Sequence, residues 1–380
     1  MKTIAIFSST RGDMSILSPL IKKINQDKKI KYLFFVGGTH LVENYGKTVD
    51  EIKDLKIKIK AKFNYLVPGN ENKNFVESLG RAHKSISKIF SKYNFDFVCI
   101  LGDRFEKLAI VNNSIIYNKP IIHLHGGEVT EGVIDNQIRN MITKASHLHF
   151  VICEKYKNNI INMGENRKRV FNFGSLAVDN MKIIKKIPKK RLFHNLGLNI
   201  NIPTILLTYH PVTLEKKISG LKQIKNIFKA IDNFDFQTLI TAPGHEIGRS
   251  EIENFIKRKA KKDKKIVYIK SIGHKNLFNL MPHCKFVIGN SSSGIIEAPF
   301  LRVPTINIGD RQKGRFMHAS VINCSYEYNK IKRSIEKRFS NSFKKRLKKF
   351  KYFFGKGNSS NRIIEKIKKT KIDQSFLRKK

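Results

Sequence analysis

No stretch of this 380-residue chain stays apolar for long. Its apolar runs last about five to seven residues, against the ~20 that a membrane-spanning helix requires, so no such helix is expected. Cysteine is scarce. The four are Cys99, Cys153, Cys284 and Cys324; none lie at metal-binding spacing, and three sit inside apolar, strand-like runs. They read as buried free thiols in a reducing compartment, and the protein is expected in the cytoplasm. Two phosphate-binding signatures are missing, the Walker A sequence and the Gly-x-Gly-x-x-Gly spacing of dinucleotide sites. There is no internal repeat of short period, and no low-complexity segment beyond a lysine bias. The first residues, Met1-Lys2-Thr3-Ile4-Ala5-Ile6-Phe7-Ser8-Ser9, run straight into Thr10-Arg11-Gly12-Asp13, which reads as a first strand and not a signal peptide. Acidic residues are few as well: 30 Asp plus Glu against 74 Lys plus Arg, for a net charge of +44. The lysines are spread through the whole chain, thickening at 257–262 and 344–351, and no nucleic-acid-binding motif accompanies them. A solvated basic surface is the simpler reading, no nucleic-acid partner is expected, and the field favours an anionic substrate.

What is present is enough apolar material, 41% of residues, for sizeable cores, in a chain whose length suits two domains. Short β-branched runs at 4–8, 32–36, 97–101, 120–124, 148–152 and 170–173 alternate with helix-length segments. The helix over 75–93 carries Phe75, Leu79, Ala82, Ile86, Ile89 and Tyr93 on one side. A lysine-rich, proline-containing stretch over 182–190 marks a boundary. The alternation then restarts with runs at 204–208, 238–240, 266–269, 286–288 and 305–308. Strands alternating with helices predict parallel, doubly wound sheets. The fold class is therefore α/β, with two Rossmann-like units around a central cleft. The expected division is 1–181, 190–358, and a C-terminal helix and frayed tail over 359–380.

Charged clusters follow several strands directly, where open α/β sheets place their ligand crevice. Gly102-Asp103-Arg104-Phe105-Glu106 follows one run, and His125-Gly126-Gly127-Glu128, leading on to Asp135, follows the next. One such acid alone is read most simply as a helix cap; acids on two consecutive strands point to a site. Gly289-Asn290-Ser291-Ser292-Ser293-Gly294-Ile295-Ile296-Glu297 follows another strand and is expected to open a helix. Free N–H groups there, with the hydroxyls of Ser291, Ser292 and Ser293 and the bare backbone of Gly294, suit a phosphate, and Glu297 can accept both hydroxyls of a ribose. A simple capped helix start is the competing account. Arg11, in the turn after the first strand, can fork onto a phosphate. His210, after 204–208, can bind a diphosphate or transfer a proton. His245 and Glu246 occupy a similar loop with less support. His123 and His125 alternate on one strand and with Glu128 suggest metal ligation, but no further ligand lies at fitting spacing, so no metal is assigned.

With these motifs in order, the chain resembles the hydrolysing UDP-N-acetylglucosamine 2-epimerases of sialic- and legionaminic-acid synthesis. The likeness rests on Ser9-Thr10-Arg11, the two acid clusters, 146–150, Gly174-Ser175-Leu176, His210-Pro211, 290–299, 307–312 and 355–360. It implies a GT-B fold, and a reaction without metal or cofactor in which a base removes the C2 proton, UDP leaves C1, and water adds to a 2-acetamidoglucal. It also implies that Asp103, Glu128, Asp135 and His210 are catalytic and that Arg11, Ser291, Ser292, Ser293, Gly294 and Glu297 hold the nucleotide. The expected partner is a UDP-sugar, and the expected assembly a homo-oligomer, dimer or tetramer. The loop 241–246 departs from the family pattern, and Lys356 stands where an acid is common. This leaves open a 2,4-diacetamido-2,4,6-trideoxy sugar or a GDP-linked donor. A non-hydrolysing epimerase and a GT-B glycosyltransferase are the alternatives.

Overall fold

The computed structural model describes residues 1–43, 48–69, 71–212, 218–244, 246 and 248–379. His245 lies outside the described residues. The chain forms two compact units. Unit 1 comprises Met1–Glu128, Asp135–Ile183 and Phe353–Lys380; unit 2 comprises Val129–Ile134 and Ile184–Tyr352. Two departures from a simple halving stand out. The chain returns to unit 1 after Tyr352, and six residues between Glu128 and Asp135 cluster with unit 2.

Unit 1 holds a seven-stranded sheet with strands β1 (Lys2–Ser8), β2 (Ile30–Gly37), β3 (Ile59–Phe63), β4 (Phe97–Leu101), β5 (Ile121–Leu124), β6 (Leu148–Val151) and β7 (Val170–Asn172). The order is β3-β2-β1-β4-β5-β6-β7, and every paired neighbour is parallel. The strands read as unbroken apolar runs because helices cover both faces. Ile4, Ile6, Phe97 and Cys99 face one core; Ala5, Phe7, Val98 and Ile100 face the other. Unit 2 repeats the plan with six parallel strands: β8 (Thr204–Thr208), β9 (Gln237–Thr241), β10 (Ile266–Ile269), β11 (Cys284–Gly289), β12 (Thr305–Ile308) and β13 (Val321–Cys324). Their order is β10-β9-β8-β11-β12-β13. Both sheets reverse direction of winding beside their first strand, between β1 and β4 and between β8 and β11, which is where doubly wound sheets open a crevice. Among the described residues no helix is long and apolar enough to cross a membrane. The four thiols are unpaired, Cys99 and Cys284 fully buried with burial pushing both up to about 12.

The tail is not frayed as the sequence suggested. The helix Ser359–Lys369 lays Ile363, Ile364 and Ile367 into a unit 1 core. Its first N–H groups are taken by Asp179, which accepts from Ser359 N at 3.0 Å, Ser360 N at 2.7 Å and the Ser360 hydroxyl at 2.7 Å. Its last carbonyls are capped by Lys2, whose Nζ donates to Ile367 O and Lys368 O at 2.8 Å and also to Thr370 O. Both ends are thus satisfied, as a buried helix terminus requires. Beyond it, Phe376 packs on Phe97 with ring centroids 6.2 Å apart, and Arg169 donates to the Phe376 carbonyl at 2.8 Å. Such docking is invisible in a lysine-rich tail because the anchoring groups come from far up the chain. Phe376→Ala is expected to lower unfolding free energy by about 3 kcal/mol, the usual scale for a phenylalanine lost from a core, as read by urea denaturation; an unchanged midpoint would mean the tail is not anchored.

Candidate active site

Unit 1 presents three of the expected residues at the carboxyl ends of three neighbouring strands, Arg11 after β1, Asp103 after β4 and Glu128 after β5. The centre of this group is a residue the sequence reading missed. Arg139, on the helix Asp135–Ala145, is 1% exposed. One nitrogen of its guanidinium bonds the Asp103 carboxylate, and another donates to the Glu128 carbonyl at 2.8 Å and to Asn136 Oδ1 at 3.2 Å. Burial works against its charge, yet Asp103, Glu128 and Asp135 together raise its pKa above the usual arginine range. All three expected carboxylates therefore act on one buried cation. Arg139 stands four residues after Asp135, so helical spacing from a suspected acid was the available signal. Glu128 itself is 3% exposed, with His125 Nδ1 3.7 Å from its Oε1.

The first loop differs from expectation. Beside Arg11, expected to fork onto a phosphate, the N–H groups of Ser9 and Thr10 donate to Asp13 Oδ2 at 2.8 and 3.3 Å. Asp13 also receives the fully buried Lys107 Nζ at 2.8 Å. The turn is a capping box for the helix Arg11–Asn25 with its donors satisfied internally. Arg11 starts that helix, half-buried, with burial lowering its pKa against the pull of Glu51.

The histidine pair on β5 is structural on one side. His123 donates from Nε2 to the Gly102 carbonyl at 3.0 Å, and its Nδ1 meets the Thr143 hydroxyl at 3.3 Å. Both nitrogens are engaged, so this ring is not a metal ligand. His125 lies past the strand with φ +62°, so the two rings do not continue one strand face. Among the described residues no group of three or more His, Cys, Asp or Glu is placed to hold a metal ion.

Unit 2 builds its own group on β8, β11 and β12. Gly289 closes β11 with φ +128°, and a Cβ there would lie 2.0 Å from the Thr208 carbonyl oxygen; only glycine permits this approach. It sets Asn290 beside His210. Asn290 Oδ1 accepts from His210 N at 2.7 Å while its Nδ2 donates to His210 O at 2.8 Å. The Asn290 carbonyl receives Gln312 Nε2 at 2.8 Å and Arg311 at 3.3 Å. Arg311 in turn pairs with Glu246 at 2.7 Å. The Gly244 N–H donates to His210 Nδ1 at 2.9 Å. A nitrogen that accepts carries no proton, so the neutral ring bears its hydrogen on Nε2, where it is a donor.

The serine run is a single 3₁₀ turn, Ser292–Gly294, capped by Ser291, whose Oγ accepts from Ser293 N at 3.4 Å and from the Ser293 hydroxyl at 3.1 Å. A four-residue helix, Glu297–Phe300, follows. The longer helix expected from sequence is absent because Leu301 and Arg302, the latter at φ +59°, turn the chain toward β12. Glu297 opens this short helix. It is 7% exposed. Gly294 lies against the Thr305 side chain, whose hydroxyl donates to its carbonyl at 2.7 Å.

Two buried histidines tie this architecture to pH. Burial pushes His123 down to about 3 and His40 down to about 4 from 6.5. His40 is held between the hydroxyls of Ser8 at 2.8 Å and Thr48 at 2.7 Å. Below about pH 6.5 the unfolded chain takes up these protons while the folded one does not, so stability rises with pH across that window. Acidification from about pH 7 to 5 should lower the unfolding free energy by at most about 1.4 kcal/mol per pH unit for each ring, read as a falling urea midpoint, and His123→Gln should flatten the slope. A midpoint independent of pH would contradict this.

A family model described as UDP-N-acetylglucosamine 2-epimerase matches residues 22–368. A hydrolysing GDP/UDP-N,N'-diacetylbacillosamine 2-epimerase of Campylobacter jejuni is 37% identical over 348 residues, 90% of this chain and 89% of that protein. A polysialic acid biosynthesis protein of Escherichia coli is 32% identical over 340 residues, 88% of this chain and 85% of that protein. Among solved structures, a UDP-GlcNAc 2-epimerase from Neisseria meningitidis bound to UDP-GlcNAc aligns with a TM-score of 0.83 at 18% identity, over 97% of this chain and 100% of that one. The Methanocaldococcus jannaschii enzyme in complex with UDP-GlcNAc and UDP aligns at 0.80 with 22% identity, over 96% of this chain and 99% of that one. At these identities the structural likeness bears on the fold, which is of GT-B type.

Proposed function

The chain belongs to the UDP-N-acetylglucosamine 2-epimerase family, and from that premise we propose that it is a hydrolysing 2-epimerase of a nucleotide-linked 2-acetamido sugar, releasing the free 2-epimer and the nucleoside diphosphate. The observation that carries this reading is the buried Arg139 drawing Asp103, Glu128 and Asp135 to one place at the carboxyl ends of β4 and β5. Abstracting a C2 proton, a weak acid, calls for a positioned carboxylate. Glu128 is our choice for this base. It is buried, whereas the Asp103 carboxylate is committed to the Arg139 guanidinium. As the C2–H bond breaks, its electrons form the C1–C2 double bond and the C1–O bond to the diphosphate breaks. Water then adds its oxygen to C1 and a proton to C2 from the opposite side. His210 donates from Nε2 to the departing diphosphate, where negative charge grows. Arg11 supports the same charge, and Ser291, Ser292, Ser293, Gly294 and Glu297 hold the nucleotide.

The Campylobacter relative, with a Legionella pneumophila UDP-N,N'-diacetylbacillosamine 2-epimerase at 28% identity, favours a 2,4-diacetamido-2,4,6-trideoxy sugar over N-acetylglucosamine. The test is NMR of products from a panel of UDP- and GDP-linked acetamido sugars in deuterated water. A free sugar carrying deuterium at C2 is expected. A sugar still attached to its nucleotide would indicate a non-hydrolysing epimerase, and an intact C2–H with transfer to an acceptor would indicate a glycosyltransferase. Glu128→Gln should keep nucleotide binding yet lose most turnover; unchanged turnover would remove Glu128 from the catalytic set.

A further inference from the structure

Glu128 ends the first stretch of unit 1 and Asp135 begins the next. The six residues between them, Val129–Ile134, cluster with unit 2. Their seat is the loop that follows β12. Glu131 N donates to the Lys313 carbonyl at 3.0 Å. Gly132 lies so close to the loop that a Cβ would stand 2.7 Å from the Asp310 carbonyl oxygen and 2.9 Å from its carbon. Gly314, at φ +92°, packs against Val129, and a Cβ there would come within 2.5 Å of Val129 Cγ1. The Lys313–Glu131 ion pair at 2.8 Å is exposed on both sides, 61% and 51%, and contributes little. Backbone fit therefore holds the segment, and two glycines make that fit possible.

The same loop reaches the other group. Arg311 and Gln312 both donate to the Asn290 carbonyl, and the Asn290 amide clamps the main chain of His210. At the segment's other end, the Glu128 carbonyl is held by Arg139. The loop that seats residues 129–134 is therefore the one whose Arg311 and Gln312 hold the Asn290 carbonyl. We propose that Val129–Ile134 is a positioning strap, seated on the 310–314 loop at Gly132 and Gly314, which sets the places of Glu128 and Asp135, the residues at its two ends. This rests on the epimerase reading above. Gly132, Val129 and Gly314 are positioning residues: they act through the acids at the strap's ends.

The experiment is Gly132→Ala in the full chain, which must lift the strap because the added methyl meets backbone and not a movable side chain. Turnover and C2 deuterium incorporation are measured with the best sugar nucleotide, UDP or GDP affinity by calorimetry, and melting temperature alongside. Turnover is expected to fall roughly 10- to 100-fold, the scale of an ångström-sized misplacement, with nucleotide affinity and melting temperature essentially unchanged. A merely structural role would lower the melting temperature and leave turnover per folded molecule intact, and that outcome overturns the strap. If Gly132→Ala does not fold, Val129→Ala removes the contact to Gly314 without adding atoms and carries the same test: lower turnover at constant affinity supports the strap, and unchanged turnover overturns it. Wild-type protein that releases nucleotide from no sugar in the panel overturns both readings, whereas an active wild type with an equally active Gly132→Ala overturns the strap alone.

Discussion

A guanidinium buried to 1% exposure beside three carboxylates is the interaction on which the rest of unit 1's site depends. Taking one charge of such a group out of water costs several kcal/mol unless its partners come with it. Removing Asp103 alone would therefore take a principal counter-charge from the buried Arg139. Because Arg139 also holds the Glu128 carbonyl, the pair fixes the backbone of the β5 loop as well as a side chain in the loop after β4. Cation, strand ends and helix Asp135–Ala145 form one rigid support, of the kind that reaction at a sugar carbon needs to keep its groups aligned.

Unit 2 solves the matching problem with neutral groups. The Asn290 amide reads the main chain of His210 in both directions, and Gly244 fixes the ring's tautomer from the other side. The result is a donor aimed by hydrogen bonds instead of by ion pairs. This suits the role proposed for His210, donation to growing negative charge. The 3₁₀ turn at Ser292–Gly294 adds its backbone in a tighter and shorter form than a helix start provides.

Much of the fold was legible in the sequence, and what was missed has a common cause. The two strands not anticipated, Ile59–Phe63 and Val321–Cys324, lie at sheet edges. The first carries lysines at alternate positions because one face of an edge strand meets water, and the second is four residues long. Central strands announce themselves because they are apolar on both faces. In the first loop, Ser9, Thr10 and Arg11 resemble a phosphate cradle by composition, yet Asp13 three residues on from Thr10 takes those donors for a capping box. A motif lists donors without saying which are already engaged.

By itself the sequence determined the two parallel sheets and the presence of acids at consecutive strand ends, because burial on both faces and the βα alternation are written in residue order. Tertiary structure decided the rest. Arg139 became the centre of the acids only once its helix packed behind β4 and β5. The tail became part of a core only once Lys2, Arg169 and Asp179 met it across more than a hundred residues of chain. Likewise, the six residues between Glu128 and Asp135 found their seat only when they met the Asp310–Gly314 turn. In each case the deciding contact joins groups far apart in the chain, and local pattern carries no record of such a meeting.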